Sequence, residues 1–500
     1  MRNDGFGERL KAMLNAMVVA ESLGADFRFH WPVNKGLDDQ HHIIDDRKKI
    51  FDARFLAGHY VPRVAATDYH LVKPPRKSQV ELRKLIHAAH RGLIVNQEPL
   101  SRLTELGNTP DLAKRYARAF RNITFTRPLK MAIAQARNVV LPERAVAVHL
   151  RAGDIIYGPF RFVSSIGQKV ICYSVANKLI GDLIAQGKSP VIFGQDMPTC
   201  RWLAEKYGLK LGVDYLEGGS PASMALGEIV LMSRCEEIHA GVSGFATVAS
   251  WIGGRSMHNP QRGLRPQQIV DIVAADTDID DPSLPIPDLQ RAFSFYMVAY
   301  TGMGVVRDSI LIENLGKAIC YDPENAYYSL QRAKLQTRNR DFDGAEATLK
   351  KALENDFRLH GLADGTPLQH VLRTNLAEFR GFVIMELRAY IATVDQFASA
   401  DRPYTCAVAA LVADMSHRSE EALSLVDTAC AALPRDGILA AVAAYVRTPK
   451  PEAKRRHAVK LNLLNGRLPD AGTVRELTTP VEHSGLGKNL RTMLKSLFGS

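Results

Sequence analysis

Residues 145–154 read Ala-Val-Ala-Val-His-Leu-Arg-Ala-Gly-Asp. An apolar, β-branched run of this length, stopped by glycine, predicts a buried strand leading into a tight loop. In an open α/β sheet, ligands bind beyond the carboxyl ends of the strands. Arg151 is then a permanent cation at the usual ligand position, with a planar fork suited to phosphate. The stretch His149-Leu150-Arg151-Ala152-Gly153-Asp154 points to an enzyme that handles a phosphorylated donor.

Downstream, the pattern repeats. A helical stretch near 172–186 leads to Pro190-Val-Ile-Phe-Gly-Gln195-Asp196, a second strand-to-loop unit, and then to a helix through Trp202, Leu203 and Tyr207. Ala222 to Arg234 reads as another helix. Glu237-Ile-His-Ala-Gly-Val is a third strand, and Ser243-Gly244-Phe245-Ala246-Thr247 opens a helix through Val248 and Trp251. Repeated strand–loop–helix units predict a parallel sheet with helices on its faces. Upstream, Leu10, Met13, Leu14, Met17, Val18 and Leu23 have helical spacing, and Gly24 ends the helix. Phe27, Phe29 and Trp31 then alternate like a strand. Residues 33–70 are polar, and 78–140 mix helical and strand signals. The stretch 256–290, rich in Pro, Gly and Asp, reads as a domain boundary.

Beyond 310 the chain reads as all-helical and repetitive. Ala318 and Ala352 lie 34 residues apart, the period of a tetratricopeptide repeat. Ala333, Ala345, Leu349, Ala422, Ala429 and Pro434 fall at matching places, where small residues let paired helices approach closely. The divisions expected are 1–140, 141–285, 286–445 and a basic tail, 446–500. In the tail, Lys450, Lys454, Arg455, Arg456 and Lys460 cluster. Leu490, Met493, Leu494, Leu497 and Phe498 could form an amphipathic helix, packed on the protein or peripheral to a membrane.

The 500 residues are 46% hydrophobic and 23% charged, ordinary for a globular protein. Net charge is +11, which favours anionic partners. Read as spread along the chain, without an RNA-module or zinc-finger signature, the charge argues against nucleic acid. The six cysteines lack Cys-x-x-Cys spacing and read as reduced, mostly buried thiols. The start lacks a signal-peptide core and no run reaches the ~20 apolar residues of a spanning helix. The expected location is cytoplasmic.

Four constellations carry chemistry. Asp4-Gly5-Phe6-Gly7-Glu8-Arg9 precedes a helix, so its glycines allow close approach and the helix start offers N–H groups to an anion. In the second, Arg151 can grip a diphosphate, and Asp154 can orient it, cap a helix or touch a ribose. The alternative is an Arg–Asp pair bracing the loop. Asp196 is either a ribose or base acceptor or an ordinary helix cap. Ser243-Gly244-Phe245-Ala246-Thr247 forms a phosphate nest, with Phe245 on a base or in the core. Asp276-Thr-Asp278-Ile-Asp280-Asp281 reads as a solvated loop, and His41-His42 with Asp45-Asp46 as a polar loop, so no metal site is expected.

In this order the motifs resemble the GDP-fucose-dependent fucosyltransferases, the superfamily of the α-1,2, α-1,6 and protein O-fucosyltransferases. The resemblance covers roughly residues 1–255. It implies a GT-B fold, an α/β architecture of two Rossmann-like domains facing a cleft, here followed by the all-α repeats. It implies an inverting, metal-independent transfer of fucose from GDP-fucose to a glycan or protein hydroxyl. Arg151 would bind the β-phosphate, with His149 and Gly153 close by. Ser243 to Thr247 would hold phosphates and base, and Gly5 and Gly7 would approach the donor. Asp4 or Glu8 would be the base, or neither. Two departures stand out: Ala152 replaces the second arginine of the α-1,6 members, and Glu8 replaces an asparagine found in many relatives. The repeats would recruit a protein partner. Rival readings are a transferase of the same fold using another nucleotide sugar, and a repeat scaffold with a degenerate transferase domain.

Overall fold

The computed structural model describes residues 5–32, 45–62, 69–88, 92–162, 167, 169–361, 366–376 and 385–448. Asp4, the His41-His42 pair and the tail from 449 onward lie outside the described residues. In chain order the helices are α1 (Phe6–Leu23), α2 (Arg47–Ile50), α3 (Ala53–His59), α4 (Gln79–Ala88), α5 (Leu100–Leu103), α6 (Leu112–Asn122), α7 (Arg127–Asn138), α8 (Gly153–Ile156), α9 (Tyr173–Ala185), α10 (Met197–Tyr207), α11 (Pro221–Met232), α12 (Gly244–Gly253), α13 (Pro266–Ala275), α14 (Asp288–Gly302), α15 (Asp308–Tyr321), α16 (Ala326–Arg338), α17 (Phe342–His360), α18 (Pro367–Leu376), α19 (Met385–Ala392), α20 (Pro403–Met415), α21 (Ser419–Ala432) and α22 (Gly437–Arg447). The strands are β1 (His70–Leu71), β2 (Leu93–Ile94), β3 (Ala145–Leu150), β4 (Ser189–Gly194), β5 (Glu237–Ala240) and β6 (Ser256–His258).

The main sheet is parallel, in the order β4-β3-β5-β6, with Val148 opposite Ile192 on one side and His239 on the other. All six residues of β3 are buried, as expected for a strand covered on both faces. Its alternation divides two cores. Val146, Val148 and Leu150 join a core with α9, α10, α13 and the C-terminal helices. Ala145 and Ala147 join one with α1, α6, α7, α11 and α12.

Residues 1–140 differ from a Rossmann-like domain. Among the described residues they hold only two dipeptide strands, β1 and β2, paired in parallel. Phe29 makes a lone bridge to Tyr60 where a strand was expected. The physical reason is that α1, α6 and α7 bury their apolar faces directly on the helices covering the main sheet, so they share its core. Helix α1 ends as its sequence predicts. Gly24 is left-handed (φ 64°), and the Ala25 N–H reaches back to the Ala20 carbonyl at 2.9 Å.

The C-terminal helices form antiparallel neighbours: α14 with α15, α16 with α17, α20 with α21. Ala318, Ala333, Ala345, Leu349, Ala352, Ala422 and Ala429 are all buried. The apolar run from Cys406 lies in α20, every residue of which is buried. The array is fused to the sheet, because α14 packs on α8, α9 and α13 within one continuous core.

The array also grips the loop that follows β3. Arg161, 13% exposed, ion-pairs with Glu324 and lies 3.9 Å from Asp322, which is almost fully buried. The Asn325 side-chain amide donates to the Arg161 carbonyl at 3.2 Å. Phe162 meets His370 of α18 edge-on. Arg161→Ala leaves the Asp322 carboxylate buried without its cation, so it should destabilise the fold by about 3 kcal/mol in denaturant unfolding. Adding Asp322→Asn should recover most of that loss; strict additivity would dismiss the pairing.

Candidate functional site

Period-two alternation aims His149 at the face covered by α12. There it stacks on Phe245, with ring centres 5.7 Å apart. The ring is buried, and burial followed by the nearby Arg151 charge lowers its pKa to about 4. His149 is therefore neutral near pH 7. Its Nδ1 is buried with no hydrogen-bond partner among the described residues. Arg151 follows directly, half-buried at the carboxyl end of the central strand. Gly153 takes φ 21°, and α8 begins there. The side chain of Asp154 lies outside the described residues.

Beyond the ends of β3 and β4 is a cavity of about 260 Å³, lined by Gly153, Tyr157, Gln195, Asp196, Pro198 and Pro287. Asp196 caps α10 and is buried. Its Oδ2 accepts from the hydroxyls of Thr199 (2.7 Å) and Tyr157 (2.5 Å) and from the Gln290 amide (2.6 Å). Of the two sequence readings, the cap is realised, and the carboxylate also ties α8 and α14 to α10. Tyr157 and Gln290 had no recognisable motif. Burial and the Asp196 carboxylate raise the Tyr157 phenol, so it stays a donor.

The first and fourth constellations meet. A Cβ on Gly7 would lie 2.5 Å from the Phe245 backbone nitrogen, and one on Gly244 would lie 2.3 Å from the Glu8 carboxylate. Gly7 thus lets α1 touch the start of α12, a backbone contact where the sequence suggested approach to a donor. Glu8 lies against the first turn of α12 and pairs with Lys11 at 3.0 Å. Ser243 and Thr247 spend their hydroxyls locally. Ser243 Oγ accepts from the Ala246 N–H, and Thr247 Oγ1 donates to the Ser243 carbonyl at 2.6 Å. Phe6 packs edge-on to Trp31, and Gly5 precedes α1 as its cap. Arg9 closes the first constellation but has no role assigned from the sequence. It is almost fully buried, its guanidinium 5.1 Å from the Trp31 ring centre. A cation inside the apolar stripe Leu10-Met13-Leu14 was the available signal.

The Asp276–Asp281 stretch departs from a solvated loop. Asp276 caps a short 3-10 turn, Ile279 is fully buried, and Asp278 accepts from the Tyr173 hydroxyl and pairs with Lys206. The cause is Arg291, buried beneath it and donating to the carbonyls of Asp278, Ile279, Leu284 and Ile286. No group of three or more His, Cys, Asp or Glu among the described residues could hold a metal ion. Four cysteines are buried, Cys430 is partly so and Cys320 is exposed.

No protein family and no curated protein matches the chain. Among solved structures, POFUT1 in complex with GDP overlaps 51% of this chain and 95% of its own, at 10% identity and a TM-score of 0.26. POFUT1 in complex with GDP-fucose gives 51% and 94%, 11% identity and 0.28. An overlap this low carries no argument about activity.

Two outcomes follow from the geometry. Gly7→Ala should push α1 off α12 and cost about 1–3 kcal/mol of stability; an unchanged unfolding midpoint would leave Gly7 without its packing role. His149 binds a proton less readily folded than unfolded (about 4 against 6.5). Its contribution is present above pH 6.5 and is lost as pH falls toward 4, by up to about 3 kcal/mol. His149→Phe should flatten the stability–pH curve across that window.

Proposed function

We propose that the chain is a glycosyltransferase of GT-B type. It moves fucose from GDP-fucose to the hydroxyl of a glycan or protein, with inversion and without a metal. The observation that carries this reading is Arg151 at the carboxyl end of the central strand, beside a neutral histidine with a buried, unpartnered nitrogen. The order of the four motifs, similar to the GDP-fucose-dependent enzymes, supplies the donor.

Transfer from a nucleotide sugar passes through an oxocarbenium-like state, with negative charge building on the departing diphosphate. Fixed donors and cations stabilise that charge most when already in place. Arg151 does this with a planar fork. His149, being neutral, adds no competing charge, and its Nδ1 can accept from a donor hydroxyl. The 260 Å³ cavity is smaller than the usual range for a whole small-molecule ligand. It therefore takes one part of the donor. Glu8 is the candidate base for the acceptor hydroxyl. The C-terminal array, read as tetratricopeptide-like, would recruit a protein partner, and the reaction would take place in the cytoplasm.

One observation favours the rival reading of a non-catalytic scaffold. The Glu8 carboxylate stands against Gly244, where a phosphate would otherwise meet the start of α12. Calorimetry separates the two readings. The enzyme should bind GDP, and Arg151→Ala should weaken that binding by about 2–3 kcal/mol with the fold intact. Equal affinity in the variant would remove Arg151 from the site. Transfer or hydrolysis of GDP-fucose should survive EDTA; inhibition reversed by manganese would overturn the metal-free mechanism.

A further inference from the structure

The positive charge is less evenly spread than the sequence reading held. Residues 73–137 hold fourteen Lys and Arg against four Asp and Glu, and the tail 446–500 holds eleven against four. The remainder of the chain is net negative. The first stretch covers α4 through α7.

Helix α7 shows how that charge is displayed. Leu129, Ile133 and Ala136 are buried and pack it on α11. Arg127, Lys130, Met131, Ala134, Arg137 and Asn138 are all exposed. At 100° per residue those six positions fall on one side of the helix. The helix has no acidic residue. The side chains of Arg127, Lys130 and Arg137 make no ion pair or hydrogen bond among the described residues. Met131 is 62% exposed, and Val140, just past the helix end, is 87% exposed. Both are among the most exposed large aliphatic side chains described. Unpaired cations flanking bare aliphatic groups on one helix face have a physical complement. An anionic lipid surface offers headgroup charge to the cations and an acyl boundary to the methionine and valine. A nucleic acid would answer the charge alone, and no aromatic residue stands in the exposed stripe to stack on a base.

We propose that the outer face of α7 is a docking surface for an anionic lipid bilayer, holding the protein flat against it. The proposal does not rest on the Arg151 reading. No described helix is long and apolar enough to cross a membrane.

The test is co-sedimentation of the full-length protein with phosphatidylcholine vesicles, with and without 30% phosphatidylglycerol. Binding should require the anionic lipid and weaken with salt. Reversing Arg127, Lys130 and Arg137 to Glu should weaken it more than tenfold, and Met131→Ser more modestly, with unchanged thermal unfolding because all four are exposed. The intact tail stays in every variant. Undiminished binding after charge reversal would assign the membrane contact elsewhere and overturn the proposal. So would binding to duplex DNA or RNA that the same variants abolish while vesicles are ignored. GDP binding should be equal in all variants, so failure here leaves the Arg151 reading standing.

Discussion

Burial of β3 on both faces is the constraint on which the rest of the structure depends. Its side chains alternate between two cores, one reaching back to α1 and the other forward into the C-terminal helices. A strand in that position cannot shift by one residue without exchanging Val146, Val148 and Leu150 with Ala145 and Ala147. The larger side chains face the helical array and the alanines face α11 and α12. Register is fixed by volume as well as by polarity. That fixed register is what sends His149 toward Phe245 and leaves Arg151 at the strand's end.

Two sets of contacts then hold the elements packed around the end of β3. On one side, Gly7 and Gly244 bring the start of α1 onto the start of α12, with Glu8 between them. On the other, Asp196 gathers Thr199, Tyr157 and Gln290, and the Arg161–Asp322–Glu324 cluster clamps the following loop to the helical array. The loop that carries the cation is therefore braced by elements more than 150 residues later in the chain.

The elements most visible in the sequence were those whose signal is local. Strands β3, β4 and β5, the glycine that ends α1 and the helix opened by Ser243 all follow from patterning and capping within a few residues. The buried alanines of the C-terminal helices were visible for the same reason. Hidden were features set by distant partners. Phe27, Phe29 and Trp31 alternate like a strand, yet Phe29 finds only one bridging residue, and the three rings pack, stacked, tilted or edge-on, among one another and Phe51 and Phe55. The acidic stretch 276–281 looks solvated until Arg291, from the next helix, is placed beneath it.

The sequence by itself determined that a parallel sheet exists, that its central strand ends in His149-Leu150-Arg151, and that a helical region follows, because spacing and caps act over short distances. Only the tertiary structure decided that residues 1–140 share the sheet's core, that Gly7 touches Phe245, that Asp196 is saturated by three donors, and that the bare cations of α7 line one face. Those depend on which surfaces are left to cover once each element has formed, and that is a property of the whole packed chain.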